Sequence, residues 1–98
     1  MEKITDEKLD KYFDVTSRAI NKVKFGTDIK IDVKTAAEDF LDIAKRYFSD
    51  AKYFREKGDY VTAFAALNYA HGWLDAGARL GLFDVDFDNE LFTVDGKR

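Results

Sequence analysis

The chain has 98 residues, 46% of them hydrophobic and 15% aromatic, with a formal net charge of -3. That length sets one domain with one modest core, and that apolar content excludes a disordered chain. The slightly acidic balance gives no global basic field for nucleic acid or an anionic membrane, and the absence of Cys excludes disulfides and thiolate metal or redox sites.

No Pro is present, so nothing forbids long helices. The opening residues from Met1 to Glu7 are charged and lack the apolar stretch of a signal peptide. No uncharged apolar run reaches membrane-spanning length, and the reading is a cytoplasmic protein. The first periodic segment covers residues 5–24. Leu9, Tyr12, Phe13, Thr16, Ala19, Ile20 and Val23 recur at three- and four-residue steps and mark one helix face. Thr5 or Asp6 suits the N-cap, and Gly26 suits a left-handed C-terminal cap. From Gly26 to Lys34, Ile29, Ile31 and Val33 alternate with charged residues. A lone strand is uncommon in a helical protein, so this stretch is expected as an extended linker pinned by its isoleucines.

Thr35 followed by Glu38 has the form of a capping box and predicts a helix over 35–57. Ala37, Phe40, Leu41, Ala44, Phe48, Ala51 and Phe54 form its apolar seam. Gly58 stops that helix and Asp59 caps the next, over 59–80. So short a joint makes the two an antiparallel hairpin. The last helix is apolar nearly all round, with Asp75 its only formal charge from Tyr60 to Ala78, and the rest of the chain is expected to cover it. Ala63, Ala66, Leu67, Ala70, Leu74, Gly77 and Ala78 project to the core. Asn68, Asp75 and Arg79 make a narrow polar stripe, with Asp75 and Arg79 spaced to pair across one turn. Ala65, Gly72 and Ala76 form a second run of small residues beside Tyr69 and Trp73. Glycine inside a helix costs about 1 kcal/mol relative to Ala. Gly72 and Gly77 therefore imply either close approach of a neighbouring helix or a groove that admits a ligand. Residues 82–98 form a tail in which Phe83, Val85 and Phe87 alternate with Asp84, Asp86 and Asp88. With a turn at Asn89 it could be a small hairpin or an extended strap.

Chemistry-bearing patterns are few. Asp84, Asp86 and Asp88 have the spacing that opens a calcium loop, but Asn89 stands where the turn Gly belongs and Asp95 where a bidentate Glu is wanted. No metal or other cofactor is expected. His71 is the only His, and with Asp75 and Arg79 it forms a candidate polar site. A lone His bordering a core face is read first as a packed, hydrogen-bonded residue. No nucleophile elbow or phosphate-cradling loop is present, so no catalytic set emerges. Arg18, Lys22, Lys24, Lys30 and Lys34 make a weak basic patch interrupted by Asp28 and Asp32.

The segments Tyr47 to Phe54, Gly58-Asp59-Tyr60, Ala63 to Ala70, Gly72 to Gly77 and Leu80 to Val85 resemble an archaeal family catalogued as domain of unknown function 357. The likeness is specific over about residues 47–85 and looser over the first helix. The resemblance implies a short helical bundle with no assigned activity, so it supplies no functional residues. The expected fold is all-α, a three-helix up-down bundle with an ordered, extended C-terminal tail. The expected function is non-enzymatic, a protein-interaction or self-association module. Its candidate partner surface is Ala65, Tyr69, Gly72, Trp73 and Ala76, meeting a second copy or another protein. The alternative is a nucleic-acid-associated accessory protein using the basic patch.

Overall fold

The computed structural model describes residues 4–28 and 31–94. Three helices form, α1 (Asp6–Lys22), α2 (Val33–Glu56) and α3 (Tyr60–Leu80), and there is no strand among the described residues. The fold is therefore all-α. The chain divides into two compact units, Met1–Lys30 and Ile31–Arg98, each described by itself.

In the first unit, Thr5 caps α1 by accepting the Lys8 N–H at 3.1 Å, and Asp6 and Glu7 place negative charge against the positive end of the helix dipole. The apolar face runs through Leu9, Tyr12, Phe13 and Ile20, all exposed. α1 ends at Lys22, with Val23 extended. The expected Gly26 cap does not form, because among the described glycines only Gly58 and Gly81 have positive φ. Ile29, one of the residues expected to pin the linker, lies outside the described residues.

In the second unit, α2 starts two residues before the expected point. Asp32, not Thr35, is its cap: the carboxylate accepts the N–H groups of Lys34 and Thr35 at 3.2 and 3.5 Å and the Thr35 hydroxyl at 2.7 Å. A carboxylate that accepts three donors outcompetes a hydroxyl, and Thr35 itself supplies two of those donors. Hydrogen bonds from the Thr35 hydroxyl and N–H hold the Asp32 carboxyl below its ordinary value.

The joint between α2 and α3 is closed by backbone bonds. Gly58, at φ 79°, donates to the Arg55 carbonyl and Asp59 donates to that of Phe54. Asp59 then accepts the Thr62 N–H at 3.1 Å. The same paired arrangement ends α3, where Gly81 at φ 85° donates to Ala78 and Leu82 donates to Gly77. Both are Schellman closures that use glycine where a Cβ would be strained.

The contact between α2 and α3 is a seam of very small residues. Ala44, Ala51, Ala63 and Ala70 are the buried hydrophobic residues, joined by buried Gly77. They recur at seven-residue steps on each helix, the spacing of a coiled-coil seam. In an antiparallel hairpin, residues equidistant from the joint lie level, so Ala51 faces Ala63 and Ala44 faces Ala70. Alanine against alanine lets the axes approach closely and sends larger side chains to the flanks. On one flank Phe40 meets Trp73 edge-on at 4.9 Å and Tyr47 lies against Tyr69 at 4.5 Å. On the other stand Leu41, Phe48 and Leu67, all exposed.

After α3 the chain runs in successive turns and makes no hairpin strands over residues 82–94. A turn over 89–91, closed by the Phe92 N–H on the Asp88 carbonyl at 3.2 Å, includes the expected Asn89, and an earlier turn falls at Asp86-Phe87. Both residues have positive φ, 51° and 58°, and Asp88 donates to the Val85 carbonyl at 3.0 Å. This is a type I′ turn, tolerable for Asp and strained for Phe by about 1–2 kcal/mol. The Asp86 N–H is taken by the Asp84 carboxylate.

The two glycines inside α3 have different surroundings. A Cβ on Gly77 would collide with the Phe83 ring, so this glycine is the seat for a tail aromatic. A Cβ on Gly72 would meet nothing within 4 Å. Gly72→Ala should therefore stabilise the protein by about 0.5–1 kcal/mol, whereas Gly77→Ala should fall at least about 1 kcal/mol below it by displacing Phe83. Thermal unfolding followed by circular dichroism measures both. Equal gains would mean that Phe83 does not depend on Gly77.

Candidate functional site

The polar residues of α3 converge on the backbone of the tail. His71, Asp75 and Arg79 stand one helical turn apart on one face, so their side chains form a ladder. His71 Nε2 lies 2.7 Å from the Leu91 carbonyl oxygen. A carbonyl only accepts, so Nε2 carries the proton and donates. Asp75 Oδ1 accepts the Thr93 N–H at 3.0 Å, and Arg79 donates to the Thr93 carbonyl at 3.5 Å. The expected pairing of Asp75 with Arg79 is replaced: Asp75 lies 3.6 Å from His71 Nε2, and Arg79 turns to the tail. Phe92 sets its ring 6.3 Å from the imidazole at a shallow angle. Asp88 organises the approach by accepting the N–H groups of Glu90 and Leu91, both at 3.0 Å. Residues 88–94 thus form a strap clasped along α3.

The clasp sets the electrostatics of Asp75. Partial burial alone would raise its carboxyl, but hydrogen bonds from Thr93 and the neighbouring imidazole outweigh it and hold the group below its ordinary 3.8. His71 and Asp75 are both partly open to solvent, with side-chain exposures of 52% and 29%. The imidazole nitrogen that faces Asp75 is engaged by the strap.

A second feature lies on the flank where Leu41, Phe48 and Leu67 are exposed. Between α2 and α3 runs a groove of about 430 Å³, floored by Ala44 and Ala70. Leu41 and Phe48 wall it on one side, and Leu67, His71 and Leu74 on the other, with Lys45 its one lysine. The side chain of Lys52 lies over the Phe48 ring at 4.8 Å, a cation–π contact that caps one end of this apolar face.

The sequence-predicted residues separate into three groups. His71, Asp75 and Arg79 are brought together, around a strap and not around an open cleft. Tyr69 and Trp73 are turned towards Tyr47 and Phe40 of α2, while Ala65, Gly72 and Ala76 are exposed. The basic patch is divided between the two units: Arg18 pairs with Asp14 at 3.0 Å on α1, Lys34 belongs to the second unit, and Lys30 lies outside the described residues. Of the calcium-loop carboxylates, Asp84 and Asp88 are occupied by backbone N–H groups, and Asp95 lies outside the described residues. Among the described residues, no group of three or more His, Cys, Asp or Glu is arranged to hold a metal, and no helix is long and apolar enough to cross a membrane. The groove was not predicted as a surface, because Leu67 and Leu74 share a helical face with Ala63 and Ala70 and read as core.

A family model described as protein of unknown function (DUF357) matches residues 11–83. The chain belongs to this family. The DUF357 match takes in most of α1, the whole α2–α3 hairpin and Phe83, so it reaches well beyond the segments that suggest the family by eye. The strap, residues 88–94, lies beyond it. No curated protein and no solved structure matches the chain. The DUF357 description names no activity, and no residue inherits a role from it.

The depressed Asp75 carboxyl fixes the sign of an acid response. A group whose folded-state pKa is lowered contributes stability that is present above its unfolded value and lost as pH falls through the folded one. The strap should stay clasped above pH 3.8 and loosen below it, with the Asp32 cap weakening in the same direction. Amide exchange of Thr93 followed by NMR through this range reads the effect. Thr93 protection that is unchanged on acidification would mean that Asp75 does not hold the strap.

Proposed function

We propose that this DUF357 chain is a non-enzymatic self-association module whose α2–α3 groove receives the same face of a second copy. The observation that carries this reading is the mismatch between what the hairpin buries and what it leaves open. The residues it buries are alanines and a glycine, while Leu41, Phe48 and Leu67 stay exposed at 38%, 49% and 42%. Full burial of one such side chain from complete exposure contributes about 1.5–3 kcal/mol, and roughly half of that is still to be gained at each of these three. Two antiparallel hairpins laid together form a four-helix arrangement that collects it. An identical copy is a suitable cover because ridges and floor repeat along the groove, and a two-fold pairing sets leucine and phenylalanine ridges over the alanine floor. The face is also nearly uncharged, with Lys45 its one lysine, so two chains of net charge -3 can meet there without opposing arrays of like charge.

The strip Ala65, Gly72 and Ala76 is a weaker candidate for the contact. Its flanking rings Tyr69 and Trp73 already pack on α2 within the hairpin.

Light scattering behind size exclusion tests the reading on the full chain. The wild type should run as a dimer that dissociates on dilution. Phe48→Glu or Leu67→Glu should weaken association at least about 30-fold, the effect of losing roughly 2 kcal/mol at an interface centre, with helicity retained. A wild type that is monomeric at every concentration rejects self-association. A dimer indifferent to both substitutions rejects the groove as its interface.

A further inference from the structure

The side chains of the α3 ladder hold the main chain of the strap. His71 donates to the Leu91 carbonyl, Asp75 accepts the Thr93 N–H and Arg79 donates to the Thr93 carbonyl. The strap is joined to α3 through the turn at Asp86-Phe87, where the Asp88 N–H bonds the Val85 carbonyl. Phe87 is left-handed at φ 58° and stays 58% exposed, so burial of its ring recovers little of the strain. Phe83, seated on Gly77, comes before this turn. A change of backbone at residues 86 and 87 therefore frees the strap and leaves Phe83 in place.

We propose that Asp86-Phe87 is a hinge through which two copies exchange straps, each strap clasping the His71, Asp75 and Arg79 ladder of the other copy. The occupant of the ladder is the segment already seated there, and what changes is the chain that supplies it, so each polar contact is kept. A short turn under strain favours such an exchange. An attached strap meets its own ladder at an effective concentration on the order of millimolar, so unstrained straps would exchange in that range. Two copies that exchange release the Phe87 strain twice. That lowers the concentration needed at least about tenfold, even after the bond from Asp88 to Val85 is returned to water. The proposal does not rest on the groove, because the ladder and the strap meet in the same way whether or not the groove is covered.

The test mixes two full-length variants. Asp75→Ala breaks the ladder and keeps the strap, while Thr93→Pro keeps the ladder and deletes the N–H that Asp75 accepts. In ¹⁵N-labelled Asp75→Ala the Thr93 amide has lost its acceptor and should exchange fast. Unlabelled Thr93→Pro brings an intact Asp75 on a second chain, and exchange of the labelled Thr93 amide should then slow about tenfold, the effect of one hydrogen bond to a charged group. Unlabelled Asp75→Ala added in its place should leave exchange fast. Pairing through the groove carries no second Asp75 to Thr93, so no slowing at any ratio overturns strap exchange and leaves the groove reading to its own substitutions. Should Thr93→Pro lose helicity, unlabelled wild type has the same intact ladder and must slow the amide at higher concentration; its failure to do so overturns the proposal equally. Asp86→Asn with Phe87→Gly in both partners gives the turn the pair that suits type I′ geometry and relieves the hinge. The amount of partner needed should rise at least about tenfold, and an unchanged requirement overturns the hinge.

Discussion

The rest of the hairpin depends on the alanine seam. Ala44 and Ala51 against Ala63 and Ala70 give α2 and α3 a contact with almost no side-chain volume between the backbones. Close approach has a direct consequence. Bulky residues that would sit between more distant helices are expelled sideways, to one flank or the other. Phe40, Tyr47, Tyr69 and Trp73 find one another on one side and settle as edge-on and tilted ring pairs. Leu41, Phe48 and Leu67 are left on the other, with the alanine floor between them. A larger residue at Ala44 or Ala70 would fill the floor and push the helices apart, and both flanks would change with it.

The seam also explains why α3 carries a polar stripe. Once one side of α3 faces α2 and two flanks are apolar, the remaining side is where a returning chain can lie. A returning chain brings backbone N–H and carbonyl groups that need partners. His71, Asp75 and Arg79 supply two donors and one acceptor at one-turn intervals, and the strap presents the carbonyl of Leu91 with the N–H and carbonyl of Thr93. This is one physical account of the lone histidine, and it needs no substrate.

Local signals in the sequence were legible where a single residue decides the geometry. Asp59 and Gly81 act as the caps their chemistry suggests, because each needs only the adjacent turn. Where two neighbours compete, local reading fails. Asp32 and Thr35 are both competent caps three residues apart, and the choice turns on Thr35 being able to donate to Asp32 as well as accept. Gly26 is permissive for a left-handed cap, but permission does not require one, and α1 ends earlier. The tail was legible as a hairpin or a strap, but its partners on α3 were not, since the spacing of Asp75 and Arg79 fits an ion pair equally well and their real partner is a backbone many residues on. The groove was hidden for a related reason. Leu67 and Leu74 have the periodicity of core residues, and periodicity reports which face is apolar without reporting what covers it.

The two helix-interior glycines show how much remains uncollected. Gly77 costs about 1 kcal/mol in helix propensity and recovers it by seating Phe83. Gly72 costs the same, and nothing in the hairpin lies within 4 Å of where its Cβ would be. Added to the exposed Leu41, Phe48 and Leu67, the unrecovered terms amount to several kcal/mol. A small domain has a total stability of about 5–15 kcal/mol. Terms of that size are a large fraction of the whole, so under the proposed self-association covering the groove contributes to the stability of the fold as well as to any role it serves. Association through the groove would then be part of how the chain stays folded, with stability rising as concentration rises.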